Sequence, residues 1–279
     1  MKKTFILSAV AAIMMAACGQ TPEEKLKAFD QTIEEMENEY YAMRDSLASD
    51  SDAWEEYYTV FMDEYKSFNL DNAKENLDNE VAVHALLNLR GMITDEESAE
   101  ILNGLSEEML ANETVQSLKK GLDARLETAE GKMFKDFTVN SVVGMTRSIP
   151  PQPVYNEVKL SDYVGKGKYV LLDFWAPWCG PCRREIPNIK KVYEQYGGEY
   201  FEVVSIAVWE RASVQVTIDT AYELGMTWPQ INNGQREPAE IYGVEGIPHL
   251  VLFGPDGKIL DRGFEGYEGI KEAVSKYLD

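Results

Sequence analysis

Residues 173–182 read DFWAPWCGPC, in which two cysteines flank a Gly-Pro pair. The residues from Tyr169 to Phe174 are apolar apart from Asp173, which is typical of a strand buried on both faces. The residues from Arg183 to Tyr196 carry apolar side chains at helical spacing. Cys179 therefore opens a predicted helix, where unpaired backbone N–H groups and the positive end of the helix dipole favour a thiolate.

The spacing of the two cysteines predicts a redox-active pair. Cys182 lies one helical turn after Cys179, so the two thiols can close a disulfide, and Pro181 favours the start of the helix. Zinc sites use the same spacing, but they usually need a second pair of ligands, and the remaining candidates are isolated: Cys18, His84 and His249. We therefore predict dithiol chemistry without a metal or cofactor, with a metal site or a plain structural disulfide as the alternatives.

The motif Asp-Phe-Trp-Ala-x-Trp-Cys-Gly-Pro-Cys, followed later in the chain by Gly246-Ile247-Pro248, resembles thioredoxin. The flanking residues resemble the exported TlpA/ResA-like branch of that superfamily. The resemblance covers roughly residues 131–279. It implies an α/β thioredoxin fold, with a central mixed sheet flanked by helices, and an enzyme that acts as a protein-disulfide oxidoreductase.

The resemblance also implies roles for individual residues. Cys179 attacks the disulfide of a protein substrate, Cys182 resolves the mixed disulfide, and Asp173 is the buried acid that accepts the proton of Cys182. Pro248 is expected to follow a cis peptide bond and to face the disulfide. The residues expected to contact the substrate are Trp178, Gly180, Pro181, Ile247 and Pro248.

The direction of electron flow follows from the same resemblance. Gly-Pro between the cysteines and Ile247 before Pro248 resemble the reducing members, so we expect a reductase that draws electrons from an external thiol relay. An oxidase or a disulfide isomerase is the alternative within the same chemistry. A lipid-tethered adaptor that binds a partner without turnover is the alternative outside it. His249 is interpreted either as a surface histidine or as a source of local positive charge.

The N-terminus resembles an export signal. Lys2 and Lys3 precede a short, mostly apolar run, and residues 1–17 fit a signal peptide. Met15-Ala16-Ala17-Cys18-Gly19 resembles a bacterial lipobox, which implies that Cys18 is acylated. The expected location is the periplasmic or cell-envelope face of a bacterial membrane, reached by a lipid anchor. An ordinary signal peptide cut near Ala17 is the alternative.

Composition limits the other functions that the chain can have. The protein has 279 residues, with 48 acidic against 27 basic side chains and a formal net charge of −21, so nucleic acid is an unsuitable partner. Most of the acidic excess lies in residues 18–130. This segment has few of the glycines and prolines that mark loops elsewhere in the chain, so it is predicted to form an all-α domain of five or six helices. We interpret this negative charge as a solvated helical surface, and the alternative is a docking surface for a basic partner. A thioredoxin-like domain is predicted over residues 131–279.

The start of the helical domain carries a specific signal. Thr21-Pro22-Glu23-Glu24 predicts a capping box with proline at the first helical position. Apolar residues at steps of three and four, from Leu26 to Leu47, predict a long helix with one apolar stripe. A second aromatic series, from Trp54 to Phe68, predicts a partner helix packed against it as an antiparallel hairpin.

Overall fold

The computed structural model describes residues 19–150 and 152–278. The chain forms two compact units that divide between Lys119 and Lys120. The predicted signal peptide, residues 1–17, and the predicted lipidation site, Cys18, lie outside the described residues. None of the helices in the described ranges is long and apolar enough to cross a membrane.

The N-terminal unit is helical, as predicted. The predicted capping box is present, since Thr21 and Glu24 cap each other at the first helix, and a second capping box joins Thr94 and Glu97 at the fourth. Six helices run through this part of the described chain, the last of which crosses into the second unit: α1 (Pro22–Ser46), α2 (Ser51–Glu75), α3 (Glu80–Asn88), α4 (Asp95–Gly104), α5 (Glu107–Leu110) and α6 (Glu113–Glu127).

Helices α1 and α2 pack through aromatic rings. The rings of Phe29 and Phe68 stack with centroids 5.5 Å apart, and Tyr40 lies 5.5 Å from Trp54. Because the earlier ring of α1 meets the later ring of α2, the two helices are antiparallel. Aromatic pairs of this kind add about 0.5–1.5 kcal/mol each beyond the apolar area that they bury. The predicted hairpin is confirmed.

The sequence predicts a third helix from around Asn72 to Arg90, and the structure places the boundary between α2 and α3 later in the chain. Helix α2 runs on to Glu75 and α3 begins at Glu80. The side chain of Asn76 donates to the carbonyl of Asn72, and the Asn79 side chain accepts from the Val81 N–H. Asparagine side chains compete with the backbone for such hydrogen bonds, so they end one helix and cap the next.

The C-terminal unit alternates strands and helices after an initial hairpin. Its elements are β1 (Thr138–Met145), β2 (Pro153–Lys159), a 3₁₀ turn (Leu160–Asp162), β3 (Tyr169–Trp175), α7 (Gly180–Tyr196), β4 (Phe201–Ala207), α8 (Val214–Glu223), β5 (Gln230–Ile231), α9 (Glu237–Ile241), β6 (His249–Phe253), β7 (Ile259–Arg262) and α10 (Gly266–Leu278).

The main sheet has five strands in the order β5-β4-β3-β6-β7. Strand β3 is central and pairs in parallel with β4 and antiparallel with β6. Alternate residues of β3 face two apolar layers: Leu171 and Trp175 pack with α7 and α10, whereas Leu172 and Phe174 pack with the β1–β2 hairpin and α9. A mixed sheet with helices on both faces is the thioredoxin fold, as the resemblance implies.

The first hairpin of this unit lies later in the chain than predicted. The sequence predicts a strand from Lys135 to Val139 and a loop from Ser148 to Pro153, but β1 begins at Thr138. The Asp136 carboxylate accepts from the N–H groups of Phe137 and Ser161, and this local turn keeps the preceding residues out of the strand. The proline-rich segment around Ser148 is a loop, as predicted.

The division between the units falls before Gly131, the boundary predicted from composition. The end of α6 packs with the C-terminal unit, since Arg125 pairs with Glu245 at 2.9 Å. The Arg262 guanidinium also donates to the Thr128 carbonyl at 2.9 Å. The charge change near Gly131 therefore does not coincide with the change in packing.

Candidate active site

Cys179 and Cys182 form a disulfide, with an S–S distance of 2.04 Å. Cys179 is the N-cap residue of α7, and its sulfur accepts a hydrogen bond from the Cys182 backbone N–H at 3.1 Å. Both residues are almost fully buried, at 3% and 1% exposed. The placement of Cys179 at the start of a helix, predicted from sequence, is confirmed.

The loop before β6 faces the first cysteine. The Ile247–Pro248 peptide bond is cis, as the resemblance implies. The carbonyl oxygen of Ile247 lies 3.5 Å from the Cys179 sulfur. Ile247 and Pro248 are half-buried, so this loop is partly open to solvent beside Cys179.

Asp173 occupies a buried position in β3, at 1% exposed. It lies two positions from Leu171 and from Trp175, which belong to the same apolar layer as Cys179 and Cys182. Since side chains two positions apart on a strand point to the same face, the Asp173 carboxyl group points into the layer that holds the dithiol.

Two side chains of the neighbouring elements stabilise the Asp173 carboxylate. The Ser205 hydroxyl donates to Asp173 Oδ2 at 2.7 Å, and the Trp228 indole N–H donates to the Ser205 oxygen at 2.8 Å. Burial raises the pKa of Asp173 to about 7, although the Ser205 hydrogen bond lowers it and the Glu185 charge raises it further. The carboxyl group therefore titrates near neutral pH.

Sequence reasoning did not single out Ser205, Trp228 or Glu185. Glu185 is 8% exposed, and its Oε1 accepts from the Gly266 N–H at 2.7 Å. It lies three residues after Cys182 on the same helix, and this spacing is a signal that could have placed it near the dithiol. Ser205 and Trp228 gave no such signal, because the pairing of β4 with β3 brings Ser205 opposite Asp173.

Trp178, Gly180 and Pro181 form the exposed side of the site. The Trp178 ring is 39% exposed, and its indole N–H donates to the Trp209 carbonyl at 2.9 Å. A side chain that is fixed in place and open to solvent is suited to contact a partner. The three exposed residues and the loop of Ile247 and Pro248 thus surround Cys179.

The two histidines have structural partners. His249 Nε2 lies 3.1 Å from an Arg262 nitrogen, and burial together with the Arg262 charge lowers the pKa of His249 to about 4. Its imidazole is therefore neutral at physiological pH, and it supplies no positive charge. His84 Nδ1 lies 2.9 Å from an Asp30 oxygen. The described residues contain no cluster of three or more His, Cys, Asp or Glu side chains that could hold a metal ion.

Solved structures similar to this chain include two bacterial redox proteins. The crystal structure of the thioredoxin domain of a thiol-disulfide oxidoreductase from Bacteroides vulgatus is 27% identical, with a TM-score of 0.44, and the alignment covers 54% of this chain and 99% of that one. The solution structure of a thiol:disulfide interchange protein from Bacteroides sp. is 27% identical, with a TM-score of 0.45, over 55% of this chain and 91% of that one.

Sequence comparison identifies curated relatives. The AhpC/TSA family model matches residues 131–262. Thiol-disulfide oxidoreductase ResA of Bacillus anthracis is 31% identical over 149 residues, which cover 53% of this chain and 76% of the relative. ResA of Geobacillus kaustophilus is 34% identical over 132 residues, covering 47% and 67%. The chain belongs to the ResA-like thiol-disulfide oxidoreductases of the thioredoxin superfamily.

Proposed function

We propose that this protein is an exported, lipid-anchored reductase that reduces disulfides in protein substrates through a Cys179/Cys182 dithiol cycle. The observation that carries the proposal is the environment of the Cys179 sulfur, which accepts the Cys182 N–H at a helix N-terminus and faces the Ile247 carbonyl. The first contact stabilises a thiolate. The second marks where an extended substrate segment lies beside Pro248.

Cys179 is the attacking residue in the reduced protein. Its thiolate attacks one sulfur of the substrate disulfide, a mixed disulfide forms, and the other substrate sulfur leaves as a thiolate that takes up a proton. We assign Trp178, Gly180 and Pro181 to the contact surface for this substrate, together with Ile247 and Pro248, because they surround Cys179.

Cys182 resolves the mixed disulfide. Its thiol loses a proton to Asp173, and the resulting thiolate attacks the Cys179 sulfur and releases the second substrate sulfur as a thiolate, which takes up a proton. The substrate has then gained two electrons and two protons, and Cys179 and Cys182 are joined in a disulfide. A carboxyl group with a pKa of about 7 supports this role, because such a base is partly ionised at the pH at which it acts. A new cycle needs electrons from an external thiol relay.

Attachment to a membrane is proposed from the lipobox-like sequence before Cys18. Acylation of Cys18 would hold the catalytic domain at the periplasmic or cell-envelope face of a bacterial membrane. The net charge of −21 gives the chain no electrostatic attraction to anionic lipids, so a covalent lipid is the simplest means of attachment.

Replacing the resolving thiol should trap substrates. In Cys182→Ala the first attack survives but the mixed disulfide cannot be resolved, so we expect thiol-labile adducts on Cys179 in protein purified from cells. Non-reducing electrophoresis with and without dithiothreitol detects them, and Cys179→Ala/Cys182→Ala is the control. Equal adduct levels in the single and double variants would show that Cys179 is not the nucleophile.

Replacing the buried acid should shift the pH dependence of resolution. Above the Asp173 pKa of about 7 the wild-type carboxylate accepts the Cys182 proton, so resolution accelerates as the pH rises through 7. Asp173→Asn removes the acceptor, and we expect resolution near pH 7 to slow by about 10² to 10⁴-fold and to recover only towards the ordinary thiol pKa of about 8.5. Stopped-flow measurement of mixed-disulfide decay between pH 6 and 9 tests this.

The exposed Asp219 provides a control for the Asp173 variant, since Asp219→Asn removes the same charge from a side chain on the surface of α8. A proton acceptor and a purely structural Asp173 also differ in the expected effect of Asp173→Asn on protein stability. A carboxyl whose pKa is raised on folding stabilises the fold below its unfolded pKa, and this contribution is lost as the pH rises to about 7. Asp173→Asn should therefore not lower Tm above pH 7. Unchanged resolution rates with a lowered Tm would make Asp173 a structural residue.

Removing the proposed acylation site should separate anchoring from chemistry. Cys18→Ala is expected to move the protein from the membrane fraction to the soluble fraction, with an unchanged rate of disulfide reduction in vitro. Fractionation after a carbonate wash measures the first effect, and an insulin-reduction assay measures the second. Persistent membrane association of Cys18→Ala would contradict the lipid anchor.

A further inference from the structure

Three exposed arginines lie beside the dithiol, and we call them the arginine rim: Arg183, Arg184 and Arg211. An Arg183 nitrogen lies 3.4 Å from the carbonyl oxygen of Pro177. A methyl group placed on Gly180 would lie 3.7 Å from an Arg184 nitrogen. The Arg183 guanidinium therefore contacts a residue two positions before Cys179, and the Arg184 guanidinium lies beside Gly180, the residue after Cys179.

Arg211 is held over the exposed tryptophan of the site. Its guanidinium carbon lies 3.7 Å from the centre of the Trp178 ring, a cation–π contact. The Trp178 indole is fixed in turn by the Trp209 carbonyl at 2.9 Å. Trp209 has a left-handed backbone with φ 52°, and its N–H donates to the Gln235 carbonyl at 2.8 Å. The Gln235 N–H donates to the Glu210 carboxylate at 3.1 Å, which closes this loop.

The arginines of the rim have no acidic partner among the described residues, in contrast to three other arginines of the chain. Arg44, Arg125 and Arg236 each form an ion pair with a carboxylate. Within residues 19–150 and 152–278, no Asp or Glu forms an ion pair with an arginine of the rim. This is unexpected by composition alone, because the chain has 48 acidic against 27 basic residues.

The positions of Arg183 and Arg184 are also unfavourable for the helix that holds them. Arg183 and Arg184 lie at the N-terminal end of α7, and that helix has no acidic residue in its first turn. The positive end of a helix dipole disfavours cations, so positive charge here does not serve the helix. Sequences that break such a rule at a site commonly do so for function.

We infer that the arginine rim binds an acidic segment of the substrate protein next to its disulfide. The inference rests on the proposed function, because it concerns the substrate of the same dithiol. A guanidinium presents a planar fork that matches a carboxylate, and Arg211 is already oriented by stacking, so less conformational freedom is lost on binding. Charge complementarity of this kind acts mainly on the association rate and on specificity.

A second effect of the rim must be separated from the first. Positive charge near Cys179 also stabilises its thiolate, and this alone would accelerate the reaction with every substrate alike. Recognition of an acidic segment instead changes the ratio of rates between acidic and neutral substrates. The ratio is therefore the quantity to measure.

The test uses two disulfide peptides that differ only in having Asp or Asn beside the cystine. The specificity constant kcat/KM for reduction of each is measured with the full chain, at low and high salt. We expect Arg211→Gln to lower the Asp-to-Asn ratio about two- to fivefold, the range of one exposed ion pair, and the triple Arg→Gln variant of the rim to lower it further. High salt should lower the wild-type ratio, because it screens exposed charges.

Lys166→Gln is the matched control, since Lys166 is exposed and precedes β3, at the opposite end of that strand from Cys179. It removes one positive charge and should leave the ratio unchanged. A ratio that is unchanged in the triple variant, or equal slowing of both peptides, would overturn the inference. Circular dichroism checks that each variant is folded.

A measurement without turnover keeps the inference separate from the proposed function. The same peptides with serine in place of cysteine are titrated against the oxidised protein, and tryptophan fluorescence reports binding. Tighter binding of the Asp peptide to the wild type, lost in the triple variant, supports recognition of an acidic segment by the arginine rim. If this result is found but neither disulfide peptide is reduced, the proposed reductase activity is contradicted and the inference about the rim is not. Equal binding of both peptides to the wild type would overturn the inference.

Discussion

The hydrogen bond from the Cys182 N–H to the Cys179 sulfur, at 3.1 Å, is the contact on which the site depends. Because of this contact, the Cys179 side chain is both the N-cap of α7 and the reactive group. The same backbone N–H that caps the helix also stabilises a thiolate on Cys179. The contact holds only while α7 is fixed against the sheet. The buried residues Ile186 and Ile189 fix it there, since they pack in the layer that contains both cysteines.

A buried acid in this layer is the second constraint. Asp173 lies among apolar side chains, where burial disfavours its charged form, and the chain formed by Ser205 and Trp228 offsets part of that cost. The result is a carboxyl group with a pKa of about 7, two orders of magnitude or more weaker as an acid than an exposed aspartate. The same burial that destabilises the charge makes the group a useful proton acceptor near neutral pH.

Much of this arrangement could be predicted from the sequence, because it depends on local signals. The apolar run around Asp173, the cysteine at the helix start and the capping box at Thr21 all follow from spacing and residue type. The contacts of Ser205 could not be predicted, because they depend on how β4 aligns with β3. The break between α2 and α3 was missed because Asn76 and Asn79 act through side-chain hydrogen bonds rather than through hydrophobic periodicity.

We propose that the Cys179/Cys182 pair donates electrons to its substrates, and the reduction potential of that pair is the most direct test of this direction of electron flow. The mature protein would be equilibrated with glutathione or dithiothreitol redox buffers, and the fraction of disulfide would be read from thiol alkylation. We predict a potential near that of thioredoxin, about −270 mV. A potential above about −180 mV, in the range of disulfide isomerases and oxidants, would contradict it.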